Sequence, residues 1–185
     1  MRLKDKVILI TASTRGIGLA CVKACAKEGA ICYMGARNLE AAEKIATELK
    51  EKGFHVNYVY NDASKPESFI SMIEEVIKKE GHLDVLVNNF GTSNPRKDLD
   101  LAHTDIADYL DIITLNLRSV FMASQEAAKH MAVHGGGSII NISSIGGVVP
   151  DISQIAYGTS KAAINYLTKL IAVHEASHNI RCNAV

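Results

Sequence analysis

The stretch Val7-Ile8-Leu9-Ile10-Thr11-Ala12-Ser13-Thr14-Arg15-Gly16-Ile17-Gly18-Leu19-Ala20 decides the fold. Val7–Thr11 is apolar and β-branched over a strand's length, which predicts a strand buried on both faces. From Gly16 a helical pattern runs to Glu28 and stops at Gly29. A strand that feeds a glycine-bearing turn and then a helix is a cradle for phosphate. Backbone N–H groups and the helix N-terminus face the anion, and glycine lets it come close. Two glycines also serve a plain tight turn; the strand–turn–helix context favours the cradle. Ser13, Thr14, Arg15, Gly16, Ile17 and Gly18 are therefore candidate cofactor-binding residues.

Outward from this turn, strand and helix patterns alternate. Ile31–Gly35 predicts a second strand. Asn38 caps a helix to about Lys52, with Gly53 as its stop. His55–Tyr60 alternates as a third strand. A helix is predicted over Pro66 to Lys79 with Ser64 as its cap, then a strand over Leu83–Asn88. A long helix is expected from Thr104 to His134, broken by Gly135-Gly136-Gly137. Ser138–Ser143 is a fifth strand, Ile155 to Ser177 a further helix, and Ile180–Val185 the start of a sixth strand. The rhythm predicts an α/β fold: a Rossmann-type, doubly wound parallel sheet with helices on both faces. No linker or repeat interrupts it, so residues 1–185 are expected to be one domain built around this phosphate cradle. Because the chain stops within a strand that should lead to a ligand loop, it is expected to be a fragment.

Composition narrows the function. Basic and acidic side chains cancel to a net charge of zero, so there is no basic stripe for nucleic acid. No apolar stretch spans a bilayer, and the charged N-terminus with a short apolar run does not read as a signal peptide. Cys21, Cys25, Cys32 and Cys182 form no Cys-x-x-Cys pair. They are expected to be buried free thiols in a reducing cytoplasm.

The end of the second strand reads Tyr33-Met34-Gly35-Ala36-Arg37. An acidic residue there would hold both ribose hydroxyls of NAD(H) and repel a 2′-phosphate. Ala36 stands in its place, Arg37 follows, and Arg15 lies in the glycine turn. Two guanidiniums near one point favour a phosphate, so the expected cofactor is NADP(H).

Tyr157 and Lys161 are four residues apart in Tyr157-Gly158-Thr159-Ser160-Lys161, and so share a helix face. A free tyrosine titrates near about 10. A neighbouring ammonium favours the phenolate, which lets tyrosine give and take a proton near neutral pH. Ser143 and Ser144 both end the fifth strand. A hydroxyl there can hydrogen-bond a substrate oxygen held near the phenol.

Taken in order, these motifs resemble the short-chain dehydrogenase/reductase family, and within it the bacterial 7α-hydroxysteroid dehydrogenases acting on bile acids. The carrying residues are Ser13 to Gly18, Asn88-Asn89-Phe90-Gly91, Val148 to Tyr157 and Asn179 to Val185. The resemblance implies a catalytic set of Ser144, Tyr157, Lys161 and Asn116, with Ser144 preferred over Ser143 by spacing. It implies that Asn116 kinks its helix and helps hold a water beside the lysine. It adds Asp62 and Ala63 as the adenine-contacting pair, and Asn89 and Gly91 at the end of the fourth strand, with Tyr157 and Lys161 also touching cofactor. Ala12 and Phe90 depart from the family's usual glycine and alanine; a methyl at position 12 is tolerated where φ is negative. The family's Pro-Gly loop, substrate-covering helices and last strand are absent from this sequence. The resemblance further implies a homodimer or homotetramer packed through the two long helices. The reaction implied is interconversion of a secondary alcohol and a ketone, on a bile acid or another steroid; the alternative is another short-chain carbonyl reductase, such as a 3-oxoacyl thioester reductase.

Two readings from other classes remain. His174-Glu175-Ala176-Ser177-His178 matches His-Glu-x-x-His, the signature of a zinc hydrolase if both histidines share a helix. Histidines at a helix C-terminus are the simpler account, and no metal site is expected. The other is a protein that binds NADP(H) without turnover, as a redox sensor or scaffold.

Overall fold

The computed structural model describes residues 1–185. The elements run β1 Val7–Ile10, α1 Gly16–Lys27, β2 Ile31–Ala36, α2 Leu39–Lys50, β3 Val56–Tyr60, α3 Ser68–Glu80, β4 Val85–Asn88, α4 Ile106–Val133, β5 Gly137–Asn141, α5 Ile155–His174 and β6 Ile180–Ala184. The strands form one parallel sheet in the order β3-β2-β1-β4-β5-β6. This is the expected Rossmann-type α/β arrangement.

The unbroken apolar run of β1 follows from having two cores. Val7 and Leu9 pack toward α3 and α4 with Phe69, Ile73, Ala123 and Met131. Ile8 and Ile10 pack toward α1 and α2 with Val22, Ala26, Ala42 and Leu49. Alternate side chains of a strand leave opposite faces, so both parities must be apolar when helices cover both. Each such fully buried side chain contributes about 1.5–3 kcal/mol relative to exposure.

Local chemistry sets the helix ends. Asn38 caps α2 by accepting the N–H of Ala41, and Asp105 caps α4 by accepting that of Ala107. Gly81 closes α3 at φ 81°, which glycine adopts without strain. Several sequence expectations shift here. The third helix starts at Ser68 rather than Pro66. Ser64 is not its cap: the Ser64 N–H and hydroxyl both donate to Asp62 Oδ1, at 2.9 and 2.8 Å, closing a tight Asx turn before the helix. The strand β5 ends at Asn141, two residues short of Ser143. Helix α5 ends at His174 instead of Ser177, and Ala176–His178 forms a separate 3-10 turn. Cys32 and Cys182 are buried, but Cys21 and Cys25 are only half-buried, packed at the margin of the α1–α2 core.

The strand order reverses between β1 and β4. After β1 the chain winds one way to β2 and β3; from β4 it winds the other way to β5 and β6. The loops leaving the carboxyl ends of β1 and β4 diverge, and the crevice between them is where such sheets hold ligands.

Candidate active site

The glycine turn is built by hydrogen bonds back to the sheet. The Ser13 hydroxyl donates to the carbonyl of Ile10 at 2.7 Å and is fully buried. Thr11 Oγ1 accepts the N–H groups of Asn89 and Phe90, at 2.9 and 3.0 Å. The Asn89 carboxamide nitrogen donates to the carbonyls of Thr11 and Ala12, both at 3.0 Å. Asn89 thus clamps the turn to the end of β4. Gly18 sits inside the clamp: a Cβ there would lie 2.6 Å from Asn89 Nδ2 and 2.7 Å from Ser13 Cα.

Ala12 departs from expectation. Its φ is +50°, in the left-handed region, so the methyl group sits where only glycine is free of strain. The clamp from Asn89 and the buried hydroxyl of Ser13 fix the backbone on either side and hold Ala12 there.

A groove of about 530 Å³ lies beside this turn, lined by Thr14, Arg15, Arg37, Asp62, Ala63 and Gly91 among others. Six of the sequence-predicted cofactor residues therefore meet at one concavity. Ser13, Gly18 and Asn89 do not line it; they build the turn that does, while Gly16 and the exposed Ile17 open the first turn of α1. Arg15 and Arg37 have no ion pair within the chain. The Asp62 carboxyl is held below the usual carboxylate range by the Ser64 N–H first, then by the Ser64 hydroxyl and the Arg37 guanidinium. At the first turn of α1, Arg15 supplies no side-chain cap, so those N–H groups remain for an anion. The groove thus fits a dinucleotide: open glycine at the turn, unpaired guanidiniums at the β2 end, and a polar wall at the β3 end.

At the other side, Ser144 and Tyr157 line one cleft of about 570 Å³ with Ile145, Val148, Val149, Pro150 and Ile155. Ser144 Oγ accepts the N–H of Gly146 at 3.2 Å, which leaves its proton free to donate. Ser143, the competing serine, is turned away: its hydroxyl donates to Asn165 Oδ1 at 2.5 Å and lies outside the cleft. Lys161 is 2% exposed. Its ammonium donates to the Ile142 carbonyl at 2.8 Å and lies 5.6 Å from the centre of the Tyr157 ring. Burial lowers the Lys161 pKa from the ordinary lysine value. Gly91 stands over this ammonium, since a Cβ there would come within 3.1 Å of Nζ. Gly91 therefore joins the dinucleotide groove to the Tyr157–Lys161 pair.

Asn116 is fully buried in α4. Its Oδ1 accepts the Thr92 N–H at 2.7 Å; its Nδ2 donates to the Thr92 carbonyl and to Ser160 Oγ, both at 2.9 Å. It lies within the single helix α4, which runs from Ile106 to Val133. The carboxamide holds the loop after β4 and reaches the catalytic helix through Ser160.

Sequence reasoning missed three side chains that hold this site. Asp98 accepts two backbone N–H groups of α5. Asn165 Nδ2 donates to the Gly147 carbonyl at 3.1 Å and so fixes the turn after Ser144. Asn141 accepts from Asn88 Nδ2 and donates to Thr168, tying β4 and β5 to α5. No spacing rule links these partners.

The His-Glu-x-x-His reading loses its geometry. His174 is the last residue of α5, and His178 sits in the following 3-10 turn, where its Nδ1 is 2.9 Å from Glu175 Oε2. The two imidazoles are not on one helical face, and no three His, Cys, Asp or Glu side chains converge for a metal.

Comparison with known proteins agrees with this fold. Residues 6–185 match the short chain dehydrogenase family, and the chain belongs to it. Over its full length it is 48% identical to the 7alpha-hydroxysteroid dehydrogenase of Clostridium sardiniense and spans 70% of that protein. Its fold superposes on a gluconate 5-dehydrogenase from Burkholderia cenocepacia in complex with NADP and tartrate, with a TM-score of 0.92 and 31% identity, covering 99% of this chain and 71% of that one. It superposes as well on an NAD+-bound xylitol dehydrogenase, with a TM-score of 0.91 and 31% identity, covering 100% and 70%. The protein is a short-chain dehydrogenase that uses a nicotinamide cofactor.

Proposed function

We propose that this protein interconverts a secondary alcohol and a ketone on a hydroxysteroid, with NADP(H), and that its preferred position is the 7α-hydroxyl of bile acids. The observation that carries the reading is that Ser144 and Tyr157 line one cleft, with the buried Lys161 ammonium 5.6 Å from the centre of the Tyr157 ring. A fused-ring substrate suits walls made of Ile145, Val148, Val149 and Pro150, and the relative at 48% identity acts on such a substrate by name.

In this reading Ser144 donates a hydrogen bond to the substrate oxygen and holds it beside the phenol. Tyr157 takes the hydroxyl proton during oxidation and returns it during reduction. Lys161 favours the phenolate through its charge. A nicotinamide held in the neighbouring groove would supply the hydride chemistry that balances this proton transfer. Thr14, Arg15, Gly16, Ile17, Asp62, Ala63 and Gly91 line or open the dinucleotide groove, with Ser13, Gly18 and Asn89 shaping it. Arg15 and Arg37, which line this groove without an ion pair, would hold the 2′-phosphate, and this is the basis for NADP(H) over NAD(H).

Residues 1–185 act as one cofactor-binding unit. The partly exposed apolar face of Leu117, Phe121, Tyr166 and Leu170 on α4 and α5 supports self-association through these helices. Free cysteines fit a cytoplasmic setting, and no helix is long and apolar enough to cross a membrane.

The test is the absorbance of reduced nicotinamide, with purified protein, a 7α-hydroxy bile acid, and NADP+ or NAD+ in parallel. Fast reduction of NADP+ alone is expected. Turnover only with a 3-oxoacyl thioester would overturn the steroid assignment, and equal rates with NAD+ would overturn the cofactor assignment.

A further inference from the structure

Helix α5 carries Tyr157 in its first turn, yet lacks a cap of its own. Gln154, at the cap position, adopts a left-handed conformation (φ 56°, ψ 51°) and its side chain accepts none of the first N–H groups. These donors are taken instead by a distant segment. Asp98, wholly buried, accepts the Ala156 N–H through Oδ1 at 2.8 Å and the Tyr157 N–H through Oδ2 at 2.9 Å. The Leu99 carbonyl accepts the Ile155 N–H at 3.1 Å.

This segment is itself held. The Asp98 N–H donates to the Asn94 carbonyl at 2.8 Å, and the Leu99 N–H to Thr104 Oγ1 at 2.8 Å. Neighbouring Lys97 pairs with Asp108 and so leaves the Asp98 carboxylate to the helix. Upstream, Thr92 is gripped at both backbone groups by Asn116. Asn116 also donates to Ser160, whose hydroxyl donates to the Tyr157 carbonyl at 2.7 Å. Both backbone polar groups of Tyr157 are thus held by side chains, and both lines of bonds lead to residues 92–99. Gly91 and Thr92 meanwhile line the dinucleotide groove.

We propose that Asp98 is a positioning residue: by capping α5 from the loop after β4, it sets where the Tyr157 phenol stands relative to Lys161 and Ser144. A carboxylate is needed because two N–H groups point at one side chain. A carboxamide offers one acceptor and sets its own NH₂ against the other donor. Because the same loop walls the dinucleotide groove, the placing of the phenol and the filling of the groove share one support.

The inference rests on Tyr157 being the acid–base group. The test compares wild type, Tyr157→Phe, Asp98→Asn and Asp98→Ala in the full-length enzyme, far below their unfolding temperatures. A displacement of the phenol by about 1 Å costs up to about 100-fold in rate. Asp98→Ala is therefore expected to lower kcat about 10- to 100-fold, Asp98→Asn less, with NADPH affinity by fluorescence titration within about threefold of wild type. A folded Asp98→Ala enzyme with kcat within twofold of wild type, while Tyr157→Phe is inactive, would overturn this inference alone. An active Tyr157→Phe enzyme would overturn the underlying reading. If Asp98→Ala does not fold, Asp98→Asn decides: a kcat within twofold of wild type overturns the proposal, whereas a several-fold loss with NADPH affinity kept supports it.

Discussion

The Lys161 ammonium lies 5.6 Å from the centre of the Tyr157 ring and has no carboxylate partner; its one hydrogen bond within the chain goes to the Ile142 carbonyl at 2.8 Å. A charge kept in this buried place costs stability.

That cost gives a pH dependence with a definite sign. Burial lowers the Lys161 pKa in the folded chain, so the unfolded chain binds the proton more tightly. The penalty is full below the lowered folded value and is relieved as pH rises through the interval up to about 10.4. Relative to Lys161→Met, wild type is expected to gain stability across that interval, measured by urea unfolding at several alkaline pH values. The variant should also lose most of its activity. A stability difference that stays flat with pH would show that the lysine is not desolvated.

Ala12 and Gly18 make opposite predictions within one turn. Ala12→Gly relieves a left-handed alanine, which costs about 1–2 kcal/mol, against an unfolded-state entropy cost of about 0.4–1 kcal/mol. The expected outcome is a net gain of about 1 kcal/mol and a rise in Tm of about 2–4 °C. Gly18→Ala drives a methyl onto Asn89 and Ser13. It is expected to cost about 1–3 kcal/mol and to weaken cofactor binding, read by thermal unfolding with and without NADPH.

Arg37→Ala should discriminate between cofactors. A hydrogen bond to a charged group contributes about 1.5–3 kcal/mol, so KM for NADP+ is expected to rise about 10- to 100-fold. KM for NAD+ should hardly change. Steady-state kinetics with both cofactors check this, and equal losses would place Arg37 in the fold instead.

Sequence periodicity revealed the sheet, the glycine turn and the Tyr157–Lys161 face because each is local: a strand period, a turn, an i, i+4 pair. Asp98 was not legible, since its partners lie 58 and 59 residues away and nothing local marks it as a cap. The φ of Ala12 was equally hidden, because the clamp that fixes it comes from Asn89, just past the end of β4. The His-Glu-x-x-His pattern carries no site for the converse reason: residue spacing implies a shared face only while the helix continues, and α5 ends at His174.

That last point is testable by metal removal. Dialysis against a chelator, and a His174→Ala substitution, are expected to leave turnover within about twofold, because neither touches the Tyr157 cleft. Loss of activity on chelation, restored by zinc, would reinstate the metal reading.

The most direct test of the central claim is single turnover of the full-length enzyme with NADP+ and a 7α-hydroxy bile acid, wild type against Tyr157→Phe. General acid–base groups typically contribute about 10²- to 10⁴-fold. A loss of that size in the rate of nicotinamide reduction, with NADP+ affinity unchanged, is the predicted result. A Tyr157→Phe enzyme that reduces NADP+ at the wild-type rate would contradict the account.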